Sequence, residues 1–331
     1  MLQSMNLPLS HFVRNEYGGC WKGLREDCAA LGLDGVEGIW DGEDIPADFP
    51  RDLLTGYHLT FFPDWLDFYR EDWPALLRKF GSKEAVSSYY GGPHPDVLLA
   101  GYRADLERAR MLGARYVVFH VSDISIEEGY TYRWFHSDEA VIDAAVEIIN
   151  CLLDGQEWPF EFLVENQWWP GFTFTEPAKT SRLLEGIHFP AKGILLDTGH
   201  LMNTDPWIKN QASGLTYIEK MLDLHGTSLC SYIRGVHLHQ SLSGIYVRQQ
   251  TGVLPQDLPK DYMERFCVSY AHILQIDRHR PWTNPNIARL FDRISPQYLT
   301  HELRADGRRE RCQTVKRQIH TLKKGDFALS T

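Results

Sequence analysis

Gly193-Ile-Leu-Leu-Asp-Thr-Gly-His200 decides how the rest of the chain is read. A short apolar run reads as a buried strand, and Thr198-Gly199 breaks it. Asp197 therefore stands at the strand's carboxyl end, with His200 on the first turn beyond. Asp and neutral His are ordinary ligands for a divalent ion. Taken alone, such a pair serves equally well as a hydrogen-bonded structural unit. Its weight comes from other segments of the same form, in which an apolar run ends in a ligand-type residue.

Tyr116-Val-Val-Phe-His120 is a β-branched run ending in a histidine. Phe160-Glu-Phe-Leu-Val-Glu165 ends in a carboxylate, Ile233 to His239 in two histidines, and Gln297-Tyr-Leu-Thr-His-Glu302 in a carboxylate. Leu53 to Phe62 carries His58. Earlier strands are expected at Met5–Ser10 and Leu33–Trp40. Between the runs, 19–31, 96–112, 137–153, 176–185, 214–224 and 260–275 have helical spacing, and 308–324 is a basic helical tail. About eight strands alternating with helices indicate a parallel β/α architecture. No Gly-rich phosphate fingerprint follows the first strand, which disfavours a dinucleotide-binding doubly wound sheet. A closed (β/α)8 TIM barrel accounts for more, because it gathers strand carboxyl ends on one face. His58, His120, Glu165, Asp197, His237 and Glu302 come from six strand ends.

A single domain over 1–331 is expected, with long loop insertions at about 63–93 and 240–293. Composition supports an ordinary globular chain, with 43% hydrophobic and 24% charged residues. No apolar run is long enough to span a bilayer, and no secretory leader is evident in Met1–Pro8. Six cysteines without CxxC spacing fit reduced thiols and a cytoplasmic location. A net charge of −10 argues against nucleic acid as a partner, since phosphate contacts need Lys and Arg. A small-molecule substrate is expected instead. A homo-oligomer is compatible with the sequence.

Carboxylates converging in one low-dielectric pocket repel each other, and bound cations remove that cost. The residues resemble the xylose isomerase-like barrels, which include endonuclease IV (the AP endonuclease family 2 type) and sugar isomerases and epimerases. In endonuclease IV-like members, ligands are a His on the third strand, a His on the fourth and a Glu on the fifth. An Asp-x-x-His follows on the sixth, a His on the seventh, an Asp-x-His beyond it, and a Glu on the eighth. The matching residues here are His58, His120, Glu165, Asp197 with His200, His237, Asp277 with His279, and Glu302. The resemblance implies one to three divalent ions, zinc or manganese. Two departures stand out. The seventh-strand motif is His237-Leu-His-Gln240 where His-x-Asn-Asp is favoured, and Asp277 lies far downstream of His237.

Two chemistries fit these ligands. The leading expectation is an isomerase or epimerase acting on a small polyhydroxylated, optionally phosphorylated, substrate. One ion on Glu165, Asp197, His237 and Glu302 would polarise a carbonyl, Glu165 and Glu302 would move the adjacent proton, and His200 would orient a hydroxyl. The alternative is a multinuclear zinc phosphoester hydrolase, favoured by His58, His120, Asp277 and His279. A non-catalytic metal-binding barrel is the third reading. Trp168, Trp169, His239 and Arg304 are expected to contact substrate, and Phe61, Phe62 and Trp65 to lie near the mouth or pack at the rim. Arg304 and Arg308 follow the eighth strand, where barrel phosphate sites form.

Overall fold

In the computed structural model, which describes residues 1–325, eight parallel strands close into a barrel in sequence order. They are β1 (Leu2–Pro8), β2 (Gly35–Ile39), β3 (Leu54–His58), β4 (Tyr116–His120), β5 (Glu161–Glu165), β6 (Lys192–Asp197), β7 (Ile233–His237) and β8 (Tyr298–His301), with β8 pairing back onto β1. The (β/α)8 reading of the chain is thereby met. Alternation along the strands sorts their side chains. Tyr116, Val118, Leu163, Leu195 and Tyr298 pack together in one small cluster. Val117, Phe119, Phe162, Val164, Ile194, Leu196 and Val236 join the large core that includes the helices. Both faces are buried, so the strands read as near-continuous apolar runs.

Strand register sets the height of the functional residues. His120 pairs with Glu165, Asp197 with His237, and His237 with Thr300. Residues distant in sequence thus emerge at one level of the carboxyl rim.

Several local boundaries differ from the sequence expectation. β1 begins and ends earlier than Met5–Ser10, because Ser10 is taken up as the N-cap of the helix His11–Glu16, accepting from the Val13 amide at 3.2 Å. The 63–93 insertion, read as a loop, holds helices Leu66–Tyr69, Trp73–Phe80 and Lys83–Tyr90. Asp72 and Ser82 cap the latter two, and Phe68 stacks on Tyr90 at 3.8 Å. Short helices of this kind are stabilised by caps and aromatic packing rather than by a long periodic stripe. The 214–224 helix runs from Gln211 to Cys230, interrupted at Gly226 by a φ of 64°. The basic tail forms a closing helix, Arg308–Lys324, burying Val315, Ile319 and Leu322. Arg308 is paired with Asp27 at 2.7 Å and Arg311 with Glu16 at 3.1 Å. These two cations are therefore engaged in helix–helix ion pairs, and Arg308 does not serve a phosphate site.

One glycine carries a packing constraint that reaches the site. A Cβ on Gly56 of β3 would lie 2.1 Å from the Tyr116 ring on β4. Tyr116 is fully buried and has no room to retreat. Gly56→Ala is expected to destabilise the fold by about 1–3 kcal/mol through overpacking. A lowered urea midpoint with an unchanged slope would register it.

Candidate metal centre

The Asp197-Thr-Gly-His200 turn is built by capping. Asp197 ends β6 and is the N-cap of the helix Thr198–Asn203, its Oδ1 accepting from the His200 amide at 2.6 Å. Asn166 holds the same residue from β5, accepting from the Asp197 amide at 2.8 Å and donating to its carbonyl at 3.0 Å. Gly199 is required by close approach, since a Cβ there would meet the His239 imidazole at 2.0 Å. The free carboxylate oxygen, Oδ2, stands 2.8 Å from His239 Nε2.

Around this turn, ligand-type atoms gather in three groups, each within 4.8 Å of one another: His58, His120 and Glu165; Glu165, Asp197, His237 and Glu302; His200, His239, Asp277 and His279. Glu165 belongs to two of them. Its carboxylate is fully buried, and neither oxygen has a hydrogen-bond partner. Four imidazoles surround it: His120 at 3.1 Å, His200 at 3.1 Å, His58 at 3.3 Å and His237 at 3.4 Å. His237 Nδ1, His239 Nδ1 and Glu302 Oε2 are likewise buried without a hydrogen-bond partner. Buried polar atoms are normally paired, so a cluster of orphans facing one another fits bound cations.

Electrostatics point the same way. Burial opposes ionisation of Glu165, yet His120 and His237 outweigh it and hold the carboxyl well below the usual range. Burial opposes the charged forms of His200 and His237 too, and neighbouring carboxylates push both well upward. Burial is similarly overcome at His279, which Asp277 and Glu302 raise to about 10. His120 goes the other way, lowered chiefly by burial. Each charge is thus compensated by its neighbours, and a divalent ion replaces protons in that role.

Second contacts orient the rings. His58 Nδ1 lies 2.9 Å from the Leu59 carbonyl, which leaves Nε2 to face Glu165. His279 Nδ1 lies 3.1 Å from the Glu302 carbonyl, with Nε2 on Asp277 at 2.5 Å. His279 also holds a φ of +45°, a sparsely populated conformation for a residue with a Cβ, of the kind found at functional sites.

The structure brings all nine residues of the inferred ligand set to one mouth. The long gap before Asp277 is closed by an antiparallel bridge between Gln240 and Arg280, which returns the chain beside His239. His239, whose place in the His237-Leu-His-Gln240 motif allows either a substrate or a ligand role, is fully buried in the third group and stacked on His279 at 4.0 Å. A cavity of about 480 Å³ opens over the groups and is lined by Trp168, Trp169, Phe61 and Arg304 among others. Phe62 and Trp65 do not line it. Phe62 packs near Tyr89 and Tyr90, and Trp65 is buried with its indole N–H donating to the Ser122 carbonyl.

Glu37 was not singled out from sequence. It is 2% exposed on β2 and accepts from Tyr116 Oη at 2.6 Å and Thr300 Oγ1 at 3.0 Å. Its Oε1 lies 2.8 Å from His237 Nε2. This holds the His237 ring so that Nδ1 faces the Glu165–Glu302 group. The available signal was a carboxylate inside an apolar strand, Gly35-Val-Glu-Gly-Ile39, rather than at its end. Such outer carboxylates set ring orientation and basicity of ligating histidines. Glu37→Gln is expected to weaken divalent-ion binding about ten- to a hundredfold, measured by competition against a chromogenic chelator.

Comparison with known proteins bears on the fold. Endonuclease IV from Thermus thermophilus superposes with a TM-score of 0.52 and 16% identity, over 98% of this chain and 100% of that one. An L-ribulose 3-epimerase gives 0.51 and 11%, over 98% and 94%. A sugar phosphate isomerase/epimerase from Parabacteroides distasonis gives 0.50 and 12%, over 99% and 96%. No curated protein matches the sequence significantly. The family model described as xylose isomerase-like TIM barrel matches residues 25–311. By that match the chain belongs to the xylose isomerase-like TIM barrel family.

Proposed function

We propose that this protein is a metal-dependent phosphoester hydrolase acting on a small substrate, with zinc as its resident ion. One observation carries the reading: Glu165 is shared between two ligand groups, with a third group alongside. A hydroxy-carbonyl isomerase needs a single ion, for which Glu165, Asp197, His237 and Glu302 suffice. It gives no role to His58, His120, His200, His239, Asp277 and His279 as ligands. When bound, neighbouring divalent ions supply an activated water and stabilise charge on phosphorus and the leaving oxygen during in-line displacement. The nitrogen-rich first and third groups suit zinc better than magnesium or calcium.

The chain's own residues have separable tasks in this reading. Glu165 bridges the first two groups, and its burial keeps their spacing fixed. Asp197, pinned by Asn166 and by its capping bond, holds the centre of the site. Arg304, the one Lys or Arg among the cavity-lining residues, would meet a substrate phosphate oxygen. Trp168 and Trp169 exclude water from the side of His200, whose ring lies 5.0 Å from that of Trp168. A nucleic-acid duplex fits poorly, because a net charge of −10 and one lining cation give little to neutralise a phosphate backbone.

A second reading, isomerase or epimerase, rests on Glu165 and Glu302. They stand 3.4 and 3.2 Å from His237 Nδ1 and would serve as the proton-moving pair.

Protein purified without added metal is expected to carry about two or three equivalents of zinc and to hydrolyse an aryl phosphate mono- or diester. Activity should vanish on chelation and return with zinc. About one equivalent of manganese, cobalt or magnesium, with solvent proton exchange into a ketose and no ester hydrolysis, would reverse the order of the two readings.

A further inference from the structure

The cavity has two unlike walls. Its floor is the ligand groups with Arg304. Beside it runs a mostly apolar wall of Ile124, Trp168, Trp169, Phe266, Ile273 and Leu274, with Ser269 and Tyr270 of the same helix also lining the cavity. The two tryptophan rings lie 4.1 Å apart and are almost fully buried. Phe266, Ile273 and Leu274 come from the helix Tyr262–Ile276, which lies within the 240–293 insertion.

This wall is built in advance. His272 on the same helix has its Nδ1 2.9 Å from Tyr246 Oη and its Nε2 3.2 Å from the Gly129 carbonyl. Its ring stacks on Tyr130 at 4.2 Å. The helix Ile126–Thr131 that receives it is closed by a capping box between Ser125 and Glu128. Trp168, Ile124, Trp169 and Ile276 form a contiguous cluster against which Ile273 packs. A preformed, mostly apolar wall beside a polar floor is the layout of a small-molecule site.

We propose that the substrate is amphiphilic: an anionic phosphoester end seated on the floor and an uncharged aromatic ring seated between the tryptophans and the 262–276 helix. The anionic end rests on the hydrolase reading; the ring subsite does not. Flat rings suit the wall because indole and phenyl faces pack on them in offset or edge-on geometry.

Calorimetry on the zinc-loaded protein with phenylphosphonate and methylphosphonate tests the subsite without requiring turnover. Burying one phenyl ring is expected to make phenylphosphonate bind about ten- to a hundredfold more tightly. Ile273→Asp, and independently Phe266→Ser, should shrink that ratio to within about threefold. Equal affinities in the unaltered protein, or a ratio that survives both substitutions, would overturn the proposal. Phenyl phosphate hydrolysis is measured in parallel. A phenylphosphonate preference without hydrolysis of any ester overturns the hydrolase reading and leaves the ring subsite standing. Hydrolysis with equal phosphonate affinities does the reverse.

Discussion

The buried carboxylate of Glu165 is the constraint to which the rest of the site answers. A carboxylate removed from water and given no hydrogen bond is costly unless positive charge lies beside it. Here it has four imidazoles within 3.4 Å. Two unit charges about 4 Å apart interact by roughly 4 kcal/mol at an effective dielectric of 20, so the arrangement is strongly coupled. Protons on His200 and His237 are one way to balance it, and both rings favour the charged form. Divalent ions are the other, and they compete with those protons for the same nitrogens. The barrel makes this convergence unavoidable. Parallel register sets His120 beside Glu165 and Asp197 beside His237, and nothing short of unfolding separates them.

That same geometry explains what could be read in the sequence. The candidate ligands His58, His120, Glu165, Asp197 and His237 are the final residues of their strands, and Glu302 follows β8 directly. An apolar run that stops at a charged residue is a local signal, visible without knowledge of the partner. Glu37 carried no such mark. It sits within β2 and its role depends on Tyr116 and Thr300, which are distant in sequence. The surroundings of His239 were not legible for a related reason. Its ring is claimed by Asp197 and by stacking on His279, contacts made only once the 240–293 excursion has folded back. The helices of 63–93 were missed because each is short and defined by its cap, whereas periodicity needs several turns to show.

The excursion also shows how one insertion serves two ends. Its first return, at the Gln240–Arg280 bridge, delivers Asp277 and His279 to the third ligand group. The helix inside it, Tyr262–Ile276, raises the apolar wall over that same group. The wall helix and one residue of the floor are therefore contiguous in the chain, since Asp277 is the helix's C-cap residue. A change in the helix is felt at a ligand one residue beyond its last turn.

Charge gives the arrangement its direction. A chain of net charge −10 repels an anionic substrate at long range. Arg304 alone does not invert that field. Bound cations would, because they are the largest local charges in such a site and reverse its sign. On the proposed hydrolase reading, anion binding is conditional on metal occupancy, while the tryptophan wall is built by the protein's own packing. An ester with an apolar ring can use both contributions: the wall attracts it irrespective of charge, and the loaded floor then holds its anionic end. A purely ionic substrate has only the second. On an acidic protein, that difference favours the ligand with an apolar side.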